Sequence, residues 1–324
     1  MSFFSSLHES PAPAVAVEIA SDRVAAASLD WRGGQPVVAA HAAEPLPAGT
    51  LVPTLTAANT HDRSAVVAAL GRVLETVGRP RRVGLIVPDV IAKVSLVKFE
   101  RVPARTQDLD QLVRWQVRKA APFAIEDAQV SYVPGLRTED GQEFVVTLAR
   151  RDVIEEYEGL CAAVGAHAGL VDLSTFNVIN AVLAGAAPPP IARAAASTDD
   201  WLLVNVAADY TSIALLRGSS LIFFRNRASD TDGTLVDLVH QTTMYYEDRL
   251  QGAGFSRAIL SGAASVALDH LRRSIEERVK TPVDLVDPTS AAALTDRITA
   301  SPSLLGTLAP LVGLLLRDRE GATA

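Results

Sequence analysis

The chain has 324 residues, of which 48% are apolar, enough for a buried core and for two domains. Its net charge is −7, so long-range attraction to nucleic acid or to an anionic membrane is not expected. The single cysteine, Cys161, excludes an intrachain disulfide and fits a reducing, cytosolic compartment.

The N-terminus, MSFFSSLHESPAPA, lacks the basic start and the long apolar run of a signal peptide. The longest apolar stretch, LLGTLAPLVGLLL at residues 304–316, is too short to cross a bilayer and contains Pro310. We therefore predict a soluble protein, or one that is held at a membrane only by a partner.

The first elements are a hairpin, a helix and two strands. AVAVEIASDRVAAASL, residues 14–29, has two β-rich arms, and Ser21 and Asp22 supply the polar turn between them. Apolar residues at helical spacing predict a helix over 63–77. Apolar runs at 83–88 and 94–103 predict strands.

The next segment, DLDQLVRWQVRKAAPF at residues 108–123, predicts a helix that ends before Pro122. Asp108 is the expected N-cap. The expected core face consists of Leu109, Leu112, Val113, Val117, Ala120 and Ala121. Trp115 falls outside that apolar stripe, so packing of the helix does not account for it.

The remaining elements alternate between strands and helices. Strands are expected at 129–133, 143–149 and 170–174, and helices at 152–164 and 177–183. The proline-rich segment at 185–200 predicts a linker. Beyond it we expect three strands within 201–227, a helix at 235–249, a strand at 258–262, a helix at 266–279, a strand at 282–288 and a helix at 304–317.

The hairpin is repeated after the linker. VAVEIASDRVAAASL and LLVNVAADYTSIALL match in pattern, which aligns Glu18 with Asn205 and Asp22 with Asp209. Ala20 aligns with Ala207 in the same comparison. The chain therefore contains an internal repeat and is expected to have two related halves.

Most common catalytic and metal-binding motifs are missing from the sequence. It contains no GxxxxGK[ST], GxSxG, HExxH or paired CxxC motif. Its six histidines have no metal-ligand spacing, so no metal site is predicted. Cys161 lies on an amphipathic helix, which favours core packing over a nucleophilic role.

In actin-like ATPases, a pair of such hairpins binds the phosphates of the nucleotide. In that fold a DxG turn on each hairpin supplies a carboxylate for a metal or water and a glycine for backbone approach to phosphate. A strand-to-helix turn usually holds the adenosine, and here it reads LSGAA at 260–264. The candidate nucleotide residues are Glu18, Ala20, Ser21, Asp22, Asn205, Ala207, Ala208, Asp209, Thr211, Gly262 and Ala263.

The whole arrangement resembles the PilM family, the cytoplasmic actin-like proteins of type IV pilus assembly. The most specific segments are LVKFERVP at 96–103 and DLDQLVRWQVRKAAPFAIEDAQVSY at 108–132, which are similar to the family's inserted subdomain. The two hairpins, the LSG turn and a C-terminal LVGLLLR helix follow in the family's order.

The resemblance implies an α/β, two-halved actin-like fold of the FtsA type, also called an ASKHA fold, with an inserted 1C-type subdomain. Subdomain 1A would comprise 1–82 and 165–197, subdomain 1C would comprise 83–164, and the second half would comprise 198–324. The segment between the strand ending near 227 and the strand at 258 holds little more than one helix. A missing or truncated 2B subdomain is therefore expected.

The resemblance also implies a partner. PilM proteins bind the cytoplasmic N-terminal tail of PilN, an inner-membrane protein, in a groove between 1A and 1C. Trp115, Arg118, Pro122 and Phe123 would shape or flank that groove; the alternative is that Trp115 and Phe123 pack a subdomain interface. The family further implies a homo-oligomeric ring and recruitment to the cytoplasmic face of the inner membrane through the partner alone.

The nucleotide motifs depart from the family pattern. The two expected DIG sequences read Glu18-Ile19-Ala20 and Asn205-Val206-Ala207, and Ala25 replaces a basic residue of the first hairpin. ATP and Mg²⁺ are implied by the resemblance, but these changes predict weak or lost nucleotide binding, no retained cofactor and no catalytic residue. The leading hypothesis is a tail-binding scaffold with a degenerate site.

Two alternatives stay open. An active actin-like ATPase or sugar-kinase-like phosphotransferase would need a carboxylate for metal–water chemistry, for which Glu18, Asp22 and Asp209 are the candidates. A type II secretion platform component would share the architecture, but its usual membrane-spanning segment is missing from this sequence.

Overall fold

The computed structural model describes residues 13–186, 200–229, 231, 233–262 and 266–317, without the side chains of 266 and 267. Residues 187–199 of the predicted linker and the candidate nucleotide residue Ala263 lie outside the described residues. Within the described ranges, no helix is long and apolar enough to cross a membrane.

The chain up to residue 186 contains eight strands and four helices. They are β1 (Val15–Ile19), β2 (Arg23–Arg32), β3 (Gln35–Pro45), α1 (Arg63–Thr76), β4 (Arg82–Val87), β5 (Ala92–Phe99), α2 (Thr106–Val117), β6 (Ala128–Thr138), β7 (Gly141–Arg150), α3 (Arg151–Ala163), β8 (His167–Leu173) and α4 (Ser174–Gly185). Helix α1 begins where the Asp62 carboxylate accepts a hydrogen bond from Ala65 N, 3.0 Å away. Its apolar stripe buries Val66, Leu70 and Val73.

The described residues from 200 onward form six strands and three helices. They are β9 (Asp200–Val206), β10 (Tyr210–Arg217), β11 (Ser220–Ala228), α5 (Leu235–Leu250), β12 (Arg257–Gly262), α6 (Val266–Val279), β13 (Val283–Leu285), β14 (Ala293–Leu294) and α7 (Pro302–Leu316). Helix α5 begins with a capping box, in which Thr234 and Asp237 each bond the other's backbone N–H.

Two sheets repeat one topology. The first has the strand order β14-β3-β2-β1-β4-β8, and the second has the order β11-β10-β9-β12-β13. In each, a three-stranded antiparallel meander is followed by a strand that pairs in parallel with the first strand of the meander, β4 with β1 and β12 with β9. This duplication confirms the internal repeat and the two-halved, actin-like α/β fold.

The inserted unit is shorter than the predicted range 83–164. Its three-stranded sheet, β5-β7-β6, and α2 together span 92–150. Strand β4 pairs with β1 and β8 in the first sheet, and α3 buries Val153 and Leu160 in the core of that sheet. Apolar runs and helical spacing do not reveal which sheet an element joins, because pairing across the chain decides it.

The C-terminal elements return to the first half, although the sequence grouped them with the second. Helix α7 is apolar on all sides, which is typical of a helix buried all round. Its residues Leu311 and Leu315 pack with Ala25 and Ile86 of the first sheet. Strand β14 pairs in parallel with β3 at the edge of that sheet.

Helix α2 starts and ends earlier than predicted. It begins at Thr106, so Asp108 lies in the first turn rather than at the N-cap. The α-helix ends at Val117 and continues as one 3₁₀ turn over Arg118–Ala120, which tightens the end before Pro122. Val113 and Val117 are buried against the three-stranded sheet, in agreement with the predicted core face.

Helix α4 joins the two halves through a shared core. Its residues Val178 and Ile179 pack with Trp201, Leu203 and Ile259 of the second sheet. The helix begins directly after β8, at the edge where the turns of both hairpins meet. This position brings Ser174 and Thr175 to the cleft between the halves.

Candidate functional site

The two hairpin turns face each other across a cleft of about 320 Å³. They have the same backbone geometry, since Ala20 N donates to Arg23 O at 2.9 Å and Ala207 N donates to Tyr210 O at 2.9 Å. The predicted site residues that line the cleft are Glu18, Ala20, Asp22, Asn205, Ala207, Ala208 and Gly262. The structure therefore brings together most of the predicted nucleotide site.

Three other predicted residues lie beside the cleft or outside it. The Ser21 side chain lies beside the Asp209 carboxylate, so the two turns approach each other. Burial raises the pKa of Asp209, and the charge of Asp22 adds to the effect, although the Ser21 side chain opposes it. Thr211 is buried in β10 and is not among the cleft-lining residues.

The carboxylate of the first hairpin is already occupied by the protein's own groups. Arg23 Nη2 lies 2.9 Å from Glu18 Oε2, and Ser174 Oγ donates to Glu18 Oε1 at 2.9 Å. Arg23 Nη1 also lies 3.2 Å from Asp22 Oδ1. The charges of Glu18 and Asp22 raise the pKa of Arg23, so the guanidinium stays charged inside the cleft.

Arg23 was missed at the sequence level, where the first hairpin was expected to lack a cation because of Ala25. Ala25 lies opposite Glu18 in the β1–β2 pairing, and Arg23 lies on the diagonal, two residues nearer the turn. A diagonal partner in a hairpin is within reach of a long side chain. The Glu18–Arg23 pair could have been predicted from the sequence, because an acidic and a basic residue occupy diagonal positions on either side of the turn.

Backbone approach to a ligand differs between the three turns. Ala20 and Ala207 both carry a methyl group in the cleft where the family pattern has glycine. Gly262 is retained, with φ of +150°, and a Cβ there would lie 2.7 Å from Val206 O. Of these three positions only Gly262 lacks a methyl group, and the close pairing of β12 with β9 requires this.

A buried polar network lies beside the cleft and was also missed by sequence reasoning. The Asp89 carboxylate accepts hydrogen bonds from Ser212 Oγ at 2.6 Å, from Thr175 N at 3.0 Å and from Thr175 Oγ1. Burial raises the pKa of Asp89 to about 6, and these hydrogen bonds oppose the shift. Asn205 Nδ2 extends the network by donating to Thr175 Oγ1 at 2.9 Å.

A second concave surface, the β8 groove, runs between the three-stranded sheet and strand β8. It has two adjoining parts of about 370 and 380 Å³ that share Ser131, Thr147, Asp172 and Arg317. Asp172 and Arg317 form an ion pair at this shared centre. Burial raises the pKa of Asp172, and the charge of Arg317 opposes that shift.

The apolar walls of the β8 groove lie on either side of that ion pair. One part is lined by Tyr132, Val145, Phe176 and Leu221, and the other by Ala149, Ile154, Val171 and Leu173. Strand β8 is the outer strand of the first sheet among the described strands. The groove thus offers a strand edge, two apolar stretches and a polar centre.

The predicted partner residues do not line this groove. Alternate residues of β7 point to opposite faces of the sheet: Val146 and Leu148 pack with α2, whereas Val145 and Thr147 face the groove. Trp115 is 69% exposed on α2, and Arg118 and Pro122 are exposed nearby. Phe123 packs partly against the α2 core. None of these four residues lines the β8 groove, and their part in binding a partner stays a prediction.

Comparison with known proteins decides the family. A family model described as "Type IV pilus assembly protein PilM" matches residues 16–248. The chain belongs to the PilM family. This family membership makes it a component of type IV pilus assembly. No curated protein matches the sequence closely enough to add to this.

One solved PilM structure shares the fold of this chain, and two further structures are more distantly similar. A structure described as the "PilM-PilN type IV pilus biogenesis complex" superposes with a TM-score of 0.76 at 18% identity, covering 94% of this chain and 98% of the other. The cytoplasmic domain of EpsL from Vibrio cholerae gives 0.45 at 12% identity, covering 96% and 95% of the two chains. EutJ from Carboxydothermus hydrogenoformans gives 0.48 at 10%, covering 95% and 91%.

Proposed function

We propose that this PilM-family protein is a cytoplasmic scaffold that binds the N-terminal tail of a PilN-like inner-membrane protein. It thereby links the tail to the pilus assembly platform and is recruited to the inner membrane by this partner alone. The observation that carries the proposal is the β8 groove, an elongated concave surface in a chain whose fold matches a protein solved as a PilM–PilN complex.

The chemistry of the β8 groove suits an extended peptide. The backbone groups of an outer strand are available to pair with an added strand, and side-chain pockets on either side give specificity. The two apolar stretches would take apolar side chains of the tail. The Asp172–Arg317 pair would favour a polar side chain between them, because it offers both an acceptor and a donor.

Nucleotide binding is proposed to be weak or lost. Glu18 is bound by Arg23 and Ser174, Asn205 carries no charge, and Ala20 and Ala207 place methyl groups in the cleft. These residues do not fit a bound Mg-nucleotide. An ATPase or phosphotransferase remains the alternative, and it would have to use Asp22 and Asp209. A component of a type II secretion platform is a second alternative. We also propose that several copies of the chain assemble into a ring.

The test is a titration of a fluorescently labelled PilN-like tail into the full chain, followed by anisotropy. Ser131 is exposed and lines both parts of the β8 groove, so Ser131→Arg should block it and weaken binding about tenfold or more. The matched control is Gln116→Arg, which puts the same side chain on the exposed face of α2. Equal affinity of both variants would reject the groove, and absence of binding by the wild type would reject the scaffold function.

A further inference from the structure

We propose that the protein's own side chains hold its two halves in the closed arrangement, so that closure of the cleft does not require a nucleotide. The proposal goes beyond loss of nucleotide binding, because it states what replaces the ligand as the bridge between the halves. It rests on hydrogen bonds that cross the cleft, on their burial and on the core that the halves share.

The crossing bonds come from both hairpins and from the segment after β4. Asn205 of the second half donates to Thr175 at 2.9 Å, and Ser212 of the second half donates to Asp89 at 2.6 Å. Asn226 Nδ2, on β11, donates to the backbone oxygen of Asp89 at 2.9 Å. The Ser21 side chain in the first turn also lies close enough to Asp209 in the second turn to lower the pKa of that carboxyl.

The start of helix α4, which we call the clasp, connects the two hairpins, because its first two residues, Ser174 and Thr175, each bond one of them. Ser174 Oγ donates to Glu18 at 2.9 Å, and Thr175 Oγ1 accepts from Asn205 at 2.9 Å. Glu18 and Asn205 are equivalent positions of the internal repeat. The helix start therefore bonds the two side chains that hold a metal or water at the phosphates in the family pattern.

Burial makes these bonds a fixed part of the structure. Asp89, Thr175 and Ser212 are fully buried. Moving the halves apart would break their mutual bonds together and open a well-packed region to water, because the three side chains form one connected cluster. The same movement would separate Val178 and Ile179 of α4 from Trp201 and Leu203 in the second sheet.

Helices α4 and α7 cross so closely that neither can slide freely along the other. A Cβ placed on Gly313 of α7 would lie 1.7 Å from the backbone oxygen of Asn177 in α4. The two helices thus touch through their backbones. This contact ties α4 to α7, and so to the first sheet against which α7 packs.

The experiment measures the separation of the halves by pulsed electron spin resonance. Spin labels are attached at Ala68→Cys on α1 and Gln241→Cys on α5, two exposed positions in different halves. Cys161 is buried, and burial raises the pKa of its thiol to about 12, so it should not be labelled. Distances are recorded with and without Mg-ATP, in the labelled parent and in Thr175→Val.

We expect one narrow distance in the parent, unchanged by Mg-ATP, and a broader or longer distribution in Thr175→Val. Thr243→Val is the matched control, because Thr243 bonds only Val239 O within α5 among the described residues, and it should match the parent. If Thr175→Val does not fold, Ser212→Ala takes its place and should also broaden the distribution, because Ser212 bonds Asp89 across the cleft. A broad parent distribution that Mg-ATP narrows would overturn the proposal, as would a clasp variant identical to the parent.

This outcome is separate from that of the proposed function. A parent that binds Mg-ATP without any change in distance would contradict the loss of nucleotide binding and would still support internal closure. Tail binding is measured on a different surface, so its failure would not alter the distances.

Discussion

Arg23 and Glu18 form an ion pair inside the cleft, with Nη2 and Oε2 separated by 2.9 Å. The pair places a protein cation on the carboxylate that, in the actin-like pattern, holds a metal or water. It neutralises Glu18 and keeps it bound to the protein's own groups.

Removal of Arg23 should destabilise the fold. Arg23→Gln would leave Glu18 buried without its cation, which should lower the free energy of unfolding by about 2 kcal/mol. The control is Arg72→Gln, which removes the exposed Arg72–Glu44 pair and should cost less than about 1 kcal/mol. Urea denaturation measures both, and equal losses would contradict a special role for the Glu18 pair.

Mg-ATP should not raise the melting temperature of the wild type. A site with a Kd of ~50 μM would, at ~5 mM ligand, stabilise the fold by about 2.7 kcal/mol and raise the melting temperature by several degrees. We expect neither this shift nor heat in a calorimetric titration. A clear shift in a folded sample would show that Ala20 and Ala207 are tolerated and would restore the ATPase alternative.

Asp89 should make stability depend on pH in a defined direction. Its folded pKa of about 6 lies above the unfolded value of about 3.9, so its contribution is present at low pH and is lost as pH rises through 6. The groups that face it are Ser212 and Thr175, which lower the pKa, and Glu18, whose charge raises it. The lost contribution amounts to about 2–3 kcal/mol between pH 4 and pH 7.

The comparison for Asp89 uses Asp89→Asn, which has no charge to titrate. Urea unfolding at pH 5 and pH 8 should show a larger advantage of the wild type over the variant at pH 5. Other carboxylates are common to both proteins and cancel in the difference. A larger advantage at pH 8 would mean that the pKa of Asp89 is lowered rather than raised.

The crossing of α4 and α7 should not tolerate a methyl group. Gly313→Ala should destabilise the protein by about 1–3 kcal/mol, because the added Cβ would collide with Asn177 O. Gly71→Ala is a matched control in α1, where the new Cβ would lie 3.9 Å from Val164 and helix propensity should add up to about 1 kcal/mol. Thermal unfolding should therefore move in opposite directions, and a neutral Gly313→Ala would contradict the close crossing.

The features that could be predicted from the sequence are those that depend on local patterns of residue types. Strand alternation and turn residues located both hairpins, and their similarity identified the repeat and hence the two-halved fold. The same comparison brought Glu18 and Asn205 to one cleft. These features depend on residues that are close in the chain or equivalent in the two halves.

What the sequence did not predict depends on contacts between distant segments. Asp89, Ser174 and Thr175 come from the ends of β4 and β8, and only the parallel pairing of those strands brings them to the cleft. The groove residues were missed for a related reason. Trp115 suggested a surface on α2, but the sheet that α2 covers presents its other face to the groove.

The burial of α7 against the first sheet has a consequence for how the protein is made. Ala25, Ala27 and Ile86, which are among the earlier residues to leave the ribosome, find their apolar neighbours in residues 302–316. The first half therefore cannot complete its core while it is being synthesised, and contacts this distant in sequence form slowly. A nascent chain that lacks α7 exposes an apolar sheet face and is a natural client for a chaperone.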